Sequence, residues 1–234
     1  MPVAVITGAT KGIGRAIANK LAEASFDLAV CARSAQDLEQ MRDELNTAYP
    51  HINVFVKSVD VADKIAVESF AADLLARFKQ IDLLVNNAGI YFPGNLEDEP
   101  AGQLEMMLHV NLLSAYNLTR ALLPAMKANA SGHIFNMSSV AGLQAYPGGG
   151  AYSISKYALQ GFSDNLRYEL RNSGIKVTSI CPGATWSNSW SGSGVDENRI
   201  MKAEDIADVL WSAYNLSAQA CLEQIVLRPQ LGDL

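Results

Sequence analysis

Apolar residues occur in short unbroken runs, separated by longer stretches in which they recur every three or four positions. The runs Val3–Thr7, Asp27–Ala32, Asn53–Lys57, Leu83–Val85, His133–Met137, Lys176–Cys181 and Gln224–Leu227 read as strands. Helical periodicity covers Gly12–Ala24, Ala35–Ala48, about Lys64 to Phe78, about Ala101 to Met126, about Ala151 to Arg171, and about Ala203 to Tyr214. Strands that are apolar at nearly every position need cover on both faces, which is the requirement of a parallel sheet. The alternation predicts the α/β class: a single doubly wound Rossmann-type domain, with a parallel seven-stranded sheet and helices on both faces. In such a sheet functional residues gather beyond the carboxyl ends of the strands. Thr7, Arg33, Asp60, Asn86, Ser139 and Pro182 all fall at or just after predicted strand ends.

Composition agrees with one domain over residues 1–234, since 49% of residues are hydrophobic and no charge block or Gly/Ser/Pro tract marks a linker. The formal charge of −6 disfavours nucleic acid and anionic membrane as partners and leaves a small molecule as the expected one. No apolar run approaches the roughly 20 residues of a membrane span. The stretch Pro2–Ile6 is too short for a signal peptide and lacks a basic flank, so a cytoplasmic location is expected. Cys31, Cys181 and Cys221 are widely spaced and read as small core residues. His51, His109 and His133 lack a partner at ligand spacing, and no metal site is predicted.

Between the first strand and first helix stands Thr7-Gly-Ala-Thr-Lys-Gly-Ile-Gly14. Glycines here permit a tight turn and close approach of backbone to a pyrophosphate, which the helix N-terminus attracts. Gly8, Thr10, Lys11, Gly12, Ile13 and Gly14 are therefore the predicted phosphate cradle of a dinucleotide. After the second strand a dinucleotide site often places an acid for the ribose 2′-hydroxyl; this chain has Ala32, then Arg33 and Ser34. A guanidinium binds a 2′-phosphate where a carboxylate would repel it, and Lys11 would add a second positive charge. NADP(H) is expected in preference to NAD(H).

Further motifs follow in order: Asp60-Val61, Asn86-Asn-Ala-Gly89, Asn111, Asn136-Met-Ser-Ser139, Tyr152-x-x-x-Lys156 and Pro182-Gly183. Residues four apart lie on one helix face, so Tyr152 and Lys156 can meet a common ligand. For a tyrosine to act as acid and base near neutrality, its pKa of about 10 must fall by roughly 3, and an ammonium nearby can supply much of that.

Taken together, these motifs resemble the short-chain dehydrogenase/reductase family from residue 3 to at least residue 187. The resemblance implies an oxidoreductase moving a hydride between nicotinamide C4 and a carbonyl or alcohol substrate. Tyr152 would be the general acid/base, Lys156 would hold the ribose and lower the tyrosine pKa, and Ser139 would bind the carbonyl oxygen. Asn111 would hold a water that relays protons to Lys156; Ser138 and Tyr157 are not the family's positions. Asp60 and Val61 would contact adenine, and Asn87, Ala88 and Gly89 the adenosine ribose, with Asn86 tying adjacent strands. Pro182, Gly183 and Thr185 would cross the nicotinamide, followed by Ser187 where a threonine is common.

Three segments should line the substrate pocket, carrying Tyr91 and Phe92, then Gln144 and Tyr146, then Trp186 and Trp190. Their aromatic character favours an apolar or aromatic carbonyl compound, and the absence of Arg or Lys disfavours a strongly anionic one. Ser187–Asn198, rich in Ser and Gly, is expected to form a short lid. The glycine-loop sequence also resembles the 3-oxoacyl-carrier-protein reductases, for whose acidic carrier Lys127, Arg167 and Arg171 could form a basic patch. A non-catalytic NADP(H) sensor is the alternative from another class, although it has no need of the Tyr152, Lys156, Ser139 and Asn111 set. A homodimer or homotetramer is implied by resemblance, with the helices near 101–126 and 151–171 packing across a two-fold axis.

Overall fold

The computed structural model describes residues 1–187, 190 and 194–233. Seven strands form one sheet in the order β3-β2-β1-β4-β5-β6-β7: β1 (Val3–Thr7), β2 (Asp27–Ala32), β3 (Val54–Ser58), β4 (Leu83–Asn86), β5 (Gly132–Met137), β6 (Ile175–Pro182) and β7 (Gln224–Leu227). All the pairings are parallel, as unbroken apolar runs require.

Successive side chains of a strand leave opposite faces, and here both faces are dry. Ala4 and Ile6 of β1 join one core with α1 (Gly12–Glu23), α2 (Ala35–Ala48) and α7 (Ala203–Tyr214). Val3 and Val5 join the other, with α3 (Lys64–Arg77), α5 (Ser114–Asn129) and α6 (Gly150–Leu170). Cys31 and Cys181 are buried as expected, whereas Cys221 is exposed and is no core residue.

The order reverses at β1, whose neighbours are β2 and β4, and a crevice opens there at the strands' carboxyl ends. Thr7 stitches it. Its hydroxyl accepts the backbone N–H groups of Asn87 and Ala88, each at 3.0 Å, fixing the turn after β4 against the turn after β1. Asn86 ties β4 to its neighbours by donating to Asn136 Oδ1 at 2.8 Å and Thr119 Oγ1 at 3.0 Å.

The single helix expected near 101–126 is in fact three pieces. A short α4 (Gln103–Leu108) runs into a π-helical turn, His109–Leu113, before α5 begins. Asn111 sits in that turn and is buried, and a π-turn's extra residue is a common way to aim a functional side chain inward. Among the described residues, no helix is long and apolar enough to cross a membrane, and no cluster could hold a metal ion.

Candidate active site

A cavity of about 810 Å³ opens at the carboxyl edge of the sheet. Ser139, Tyr152 and Lys156 line it together with Ile13, Asn87, Gly89, Tyr91, Phe92, Gln144, Tyr146, Pro182, Gly183, Thr185 and Trp190. Residues far apart in the chain and expected from sequence to share one site therefore do so. Of the residues expected to line the substrate pocket, Trp186 is the exception. It does not line the cavity, because its backbone N–H pairs with Met201 O at 2.7 Å in a bridge that turns its side chain's segment along the sheet edge.

Tyr152 stands in the first turn of α6 and Lys156 one turn later. The Lys156 ammonium lies 5.7 Å from the Tyr152 ring centroid and donates to Met137 O, at the end of β5, at 2.9 Å. Complete burial holds the Lys156 pKa down to about 8. Ser139, just past β5, accepts Ala141 N–H at 3.1 Å, donates to Pro182 O at 3.4 Å and lines the same cavity as Tyr152. Burial pushes the Tyr152 phenol above its usual value of 10, while the Ser139 hydroxyl opposes that rise. Lys156 is not among the groups that lower it. Tyr91 packs edge-on against Tyr152 with centroids 4.8 Å apart.

The decoys separate as spacing implied. Tyr157 is exposed on the far side of α6, and Ser138 turns its hydroxyl to Lys156 O at 3.4 Å. Asn111 is buried in the π-helical turn before α5. Its side-chain oxygen accepts Ile90 N–H at 2.8 Å, and its amide donates to Ile90 O at 3.0 Å and Ser155 Oγ at 2.9 Å. Its amide thus clamps the strap after β4 to α6.

The residues around the glycine loop suit a dinucleotide. Lys11 precedes α1 without a side-chain cap, leaving first-turn N–H groups for an anion. A Cβ on Gly14 would collide with the Gly8 carbonyl oxygen and would lie 2.5 Å from Asn87 Nδ2, so only glycine allows this turn. Asn87 braces it by donating to Thr7 O at 2.9 Å and Gly8 O at 3.1 Å, a side-chain role that sequence reading assigned to backbone. Gly12 approaches Ser187 across the crevice, and Thr10 and Ile13 complete the loop. Arg33 is exposed at the end of β2 and forms no ion pair among the described residues, its carbonyl fixed by Ser58 Oγ at 2.8 Å. Lys11, expected beside it, is held by Asp37 at 2.8 Å, and Ser34 caps α2 by accepting Asp37 N–H at 3.1 Å. Asp60, after β3, accepts Ala62 N–H at 3.0 Å next to Val61.

The expected lid falls partly outside the described residues, at 188, 189 and 191–193. Its base is pinned by Trp186 N–H to Met201 O and by Met201 N–H to Ala184 O at 3.1 Å. Sequence reading missed Arg228, which lines the cavity with Asp233. It follows β7, outside the three segments considered. Of the suggested carrier patch, Arg167 is already paired with Asp164 at 2.7 Å and Glu223 at 3.6 Å, and Arg171 stacks on Tyr168.

Comparison with known proteins matches residues 2–197 to the short chain dehydrogenase family model. The chain belongs to this family. It is 34% identical to the sepiapterin reductase of Chlorobaculum tepidum, over 99% of this chain and 98% of that protein. An NADP-dependent 3-hydroxy acid dehydrogenase of Salmonella typhi is 31% identical over 97% and 94%. An alcohol dehydrogenase from the archaeon Thermococcus sibiricus, solved with 5-hydroxy-NADP, superposes with TM-score 0.91 at 30% identity, covering 100% and 99%. This short-chain dehydrogenase thus belongs with oxidoreductases along nearly its whole length, and its sheet is theirs.

Proposed function

We propose that this short-chain dehydrogenase is an NADP(H)-dependent carbonyl reductase, with Tyr152 giving the proton that becomes the alcohol hydrogen. The convergence of Tyr152, Ser139 and Lys156 on one cavity carries this reading. A phenol held above its ordinary pKa keeps its proton at neutral pH and has it to give to a carbonyl oxygen. Ser139 donates to the same oxygen as negative charge grows on it, a preorganised donor in a site walled by Tyr91, Phe92 and Tyr146. Lys156, with a pKa near 8, carries a proton at neutral pH and can return it toward Tyr152. Asn111, Ile90 and Ser155 fix the helix turn on which both stand.

NADP(H) supplies or accepts the hydride when bound. Gly8, Thr10, Gly12, Ile13 and Gly14 would hold its pyrophosphate, Asp60 and Val61 its adenine, Asn87, Ala88 and Gly89 its ribose, and Pro182, Gly183 and Thr185 its nicotinamide side. Arg33 would take the 2′-phosphate, with Ser34 beside it. The preference is supported by the unpaired, exposed guanidinium and by relatives described as NADP-dependent or solved with an NADP derivative. The aromatic wall suits a carbonyl carried on an apolar body.

Assembly as a homo-oligomer through α5 and α6 is part of the same proposal. Ile154, Tyr157 and Tyr168 stand exposed at helical spacing along α6, beside exposed Tyr116 of α5.

The test is Tyr152→Phe. NADPH affinity is expected to stay within a few-fold, while reduction of a panel of ketones, quinones and sugars falls by about 10³-fold or more. Near-normal turnover in this variant would refute the assignment.

A further inference from the structure

The chain beyond β7 folds back over the cavity. Gly183 N–H donates to Leu227 O at 2.8 Å, seating Arg228 beside the loop that follows β6. Gly232 N–H closes a turn onto Pro229 O at 2.9 Å. Arg199 ties down the tip by donating to Gly232 O at 3.1 Å and Leu231 O at 3.3 Å. The result is an ion pair between Arg228 and Asp233 on the cavity wall, each side chain well over a third exposed or close to it.

Two cations line this cavity, and they differ in kind. Lys156 is buried, hydrogen-bonded to Met137 O and tied to Tyr152. Arg228 remains reachable from solvent and presents a planar fork suited to a carboxylate. The group it holds is itself a carboxylate, offered by the chain's own tail. We propose that Arg228 is an anion-recognition residue whose natural ligand is the carboxylate of an oxo-acid or hydroxy-acid substrate, with Asp233 occupying the guanidinium until that substrate displaces it.

Exchange of one carboxylate for another conserves the guanidinium's hydrogen bonds, so the swap carries no penalty for an unpaired buried charge. A neutral ketone offers nothing to Arg228 and leaves the Asp233 pair in place. A chain with a formal charge of −6 repels anions over most of its surface, and a local cation at the site gives an anionic substrate its specific foothold. The apolar body of the substrate would then lie on Tyr91, Phe92 and Tyr146, with its carbonyl at Tyr152. This rests on the carbonyl-reductase reading above, and its test reads binding instead of turnover.

The NADP⁺-loaded full-length protein is titrated calorimetrically with pyruvate, acetoacetate and 4-oxopentanoate, each against its methyl ester. At least one acid is expected to bind about tenfold or more tightly than its ester. Arg228→Gln should abolish that difference while leaving ester and NADP⁺ affinities within twofold. Asp233→Asn should tighten the acid several-fold, because the internal competitor is gone. Equal binding of acid and ester at all three lengths would overturn the inference. So would a loss of acid affinity in Asp233→Asn matching that in Arg228→Gln, which would make the pair a structural fastener of the tail. Weakening of NADP⁺ in Arg228→Gln as large as that of the acid would give the guanidinium to a cofactor phosphate, and would also overturn it. Should Arg228→Gln fail to fold, the wild-type acid affinity must fall with added salt while the ester's does not; equal salt dependence counts against the proposal. An acid–ester difference without NADPH turnover on any carbonyl would uphold Arg228 and refute the reductase reading instead.

Discussion

Lys156 donates its ammonium to Met137 O at 2.9 Å, so the buried cation of the cavity is anchored to the end of β5. That bond also docks α6 onto the strand that delivers Ser139, which is how two sequence motifs thirteen residues apart come to face one another. Burial there lowers the lysine pKa from 10.5 to about 8.

Between those two values the unfolded lysine binds a proton that the native one does not, so native stability rises with pH through that window. Lys156→Met has no such dependence. The stability of wild type relative to this variant is expected to improve by about 3 kcal/mol between pH 7.5 and pH 10.5, an order-of-magnitude figure from the usual ~1.4 kcal/mol per pKa unit. Urea denaturation of both proteins at the two pH values measures it. A pH-independent difference would mean that Lys156 is as well hydrated in the native state as in the unfolded chain, with no lowering of its pKa.

Arg33 and Lys11 are both near the predicted 2′-phosphate position, but only Lys11 is paired, with Asp37. Arg33→Ala is expected to raise KM for NADPH by about tenfold or more, equivalent to the ~1.5–3 kcal/mol of a hydrogen bond to a charged group. KM for NADH should scarcely change. Lys11→Ala should show a smaller effect, since its ammonium must leave Asp37 before it helps. Steady-state kinetics with both cofactors decides, and equal losses with NADH and NADPH would remove Arg33 from phosphate recognition.

Strand positions were legible within about a residue, because a sheet buried on both faces leaves no choice in where apolar residues go. The glycine loop and the Tyr152, Lys156 and Ser139 set were legible for a related reason: their spacing is dictated by one turn and one helix. The break at His109–Leu113 was not, since a π-turn is imposed by what Asn111 must reach, Ile90 and Ser155, and leaves helical periodicity almost intact. Trp186 was misplaced because its neighbour across the loop, Met201, decides its direction. Arg228 was invisible for the same reason: only the β6–β7 pairing brings it beside Gly183.

The exposed stripe of Ile154, Tyr157 and Tyr168 on α6 passes over Gly161, where an added Cβ would meet nothing within 4 Å. A glutamate at that position is therefore compatible with the fold of one chain but places a charge in the face assigned to a second copy. Gly161→Glu is expected to shift the protein to a smaller species in analytical ultracentrifugation while far-UV circular dichroism stays native. An unchanged sedimentation coefficient, or a wild type that is already monomeric, would move the interface elsewhere or remove it.

Glu99 caps the catalytic helix from outside. Its Oε1 accepts Ala151 N–H at 2.6 Å, one residue before Tyr152, and Gly94 N–H donates to Gly148 O at 3.1 Å in the same strap. Gly150 adopts φ +32° there, and a side chain on it would collide with the Glu99 carboxylate. A carboxylate at a helix N-terminus satisfies an otherwise orphaned donor and complements the helix dipole. Glu99→Ala should therefore cost about 1–2 kcal/mol of stability, and Glu99→Gln, which keeps an acceptor but loses the charge, about half as much. The strap also carries Tyr91, which packs on Tyr152. Loosening it should lower kcat for ketone reduction more than it raises KM for NADPH, because Tyr91 packs directly on Tyr152 whereas the glycine loop is braced separately by Thr7 and Asn87. Thermal denaturation and kcat/KM measured on both variants test this together. If Glu99→Ala lost stability with kcat unchanged, the residue would be a helix cap alone, without influence on the position of Tyr152.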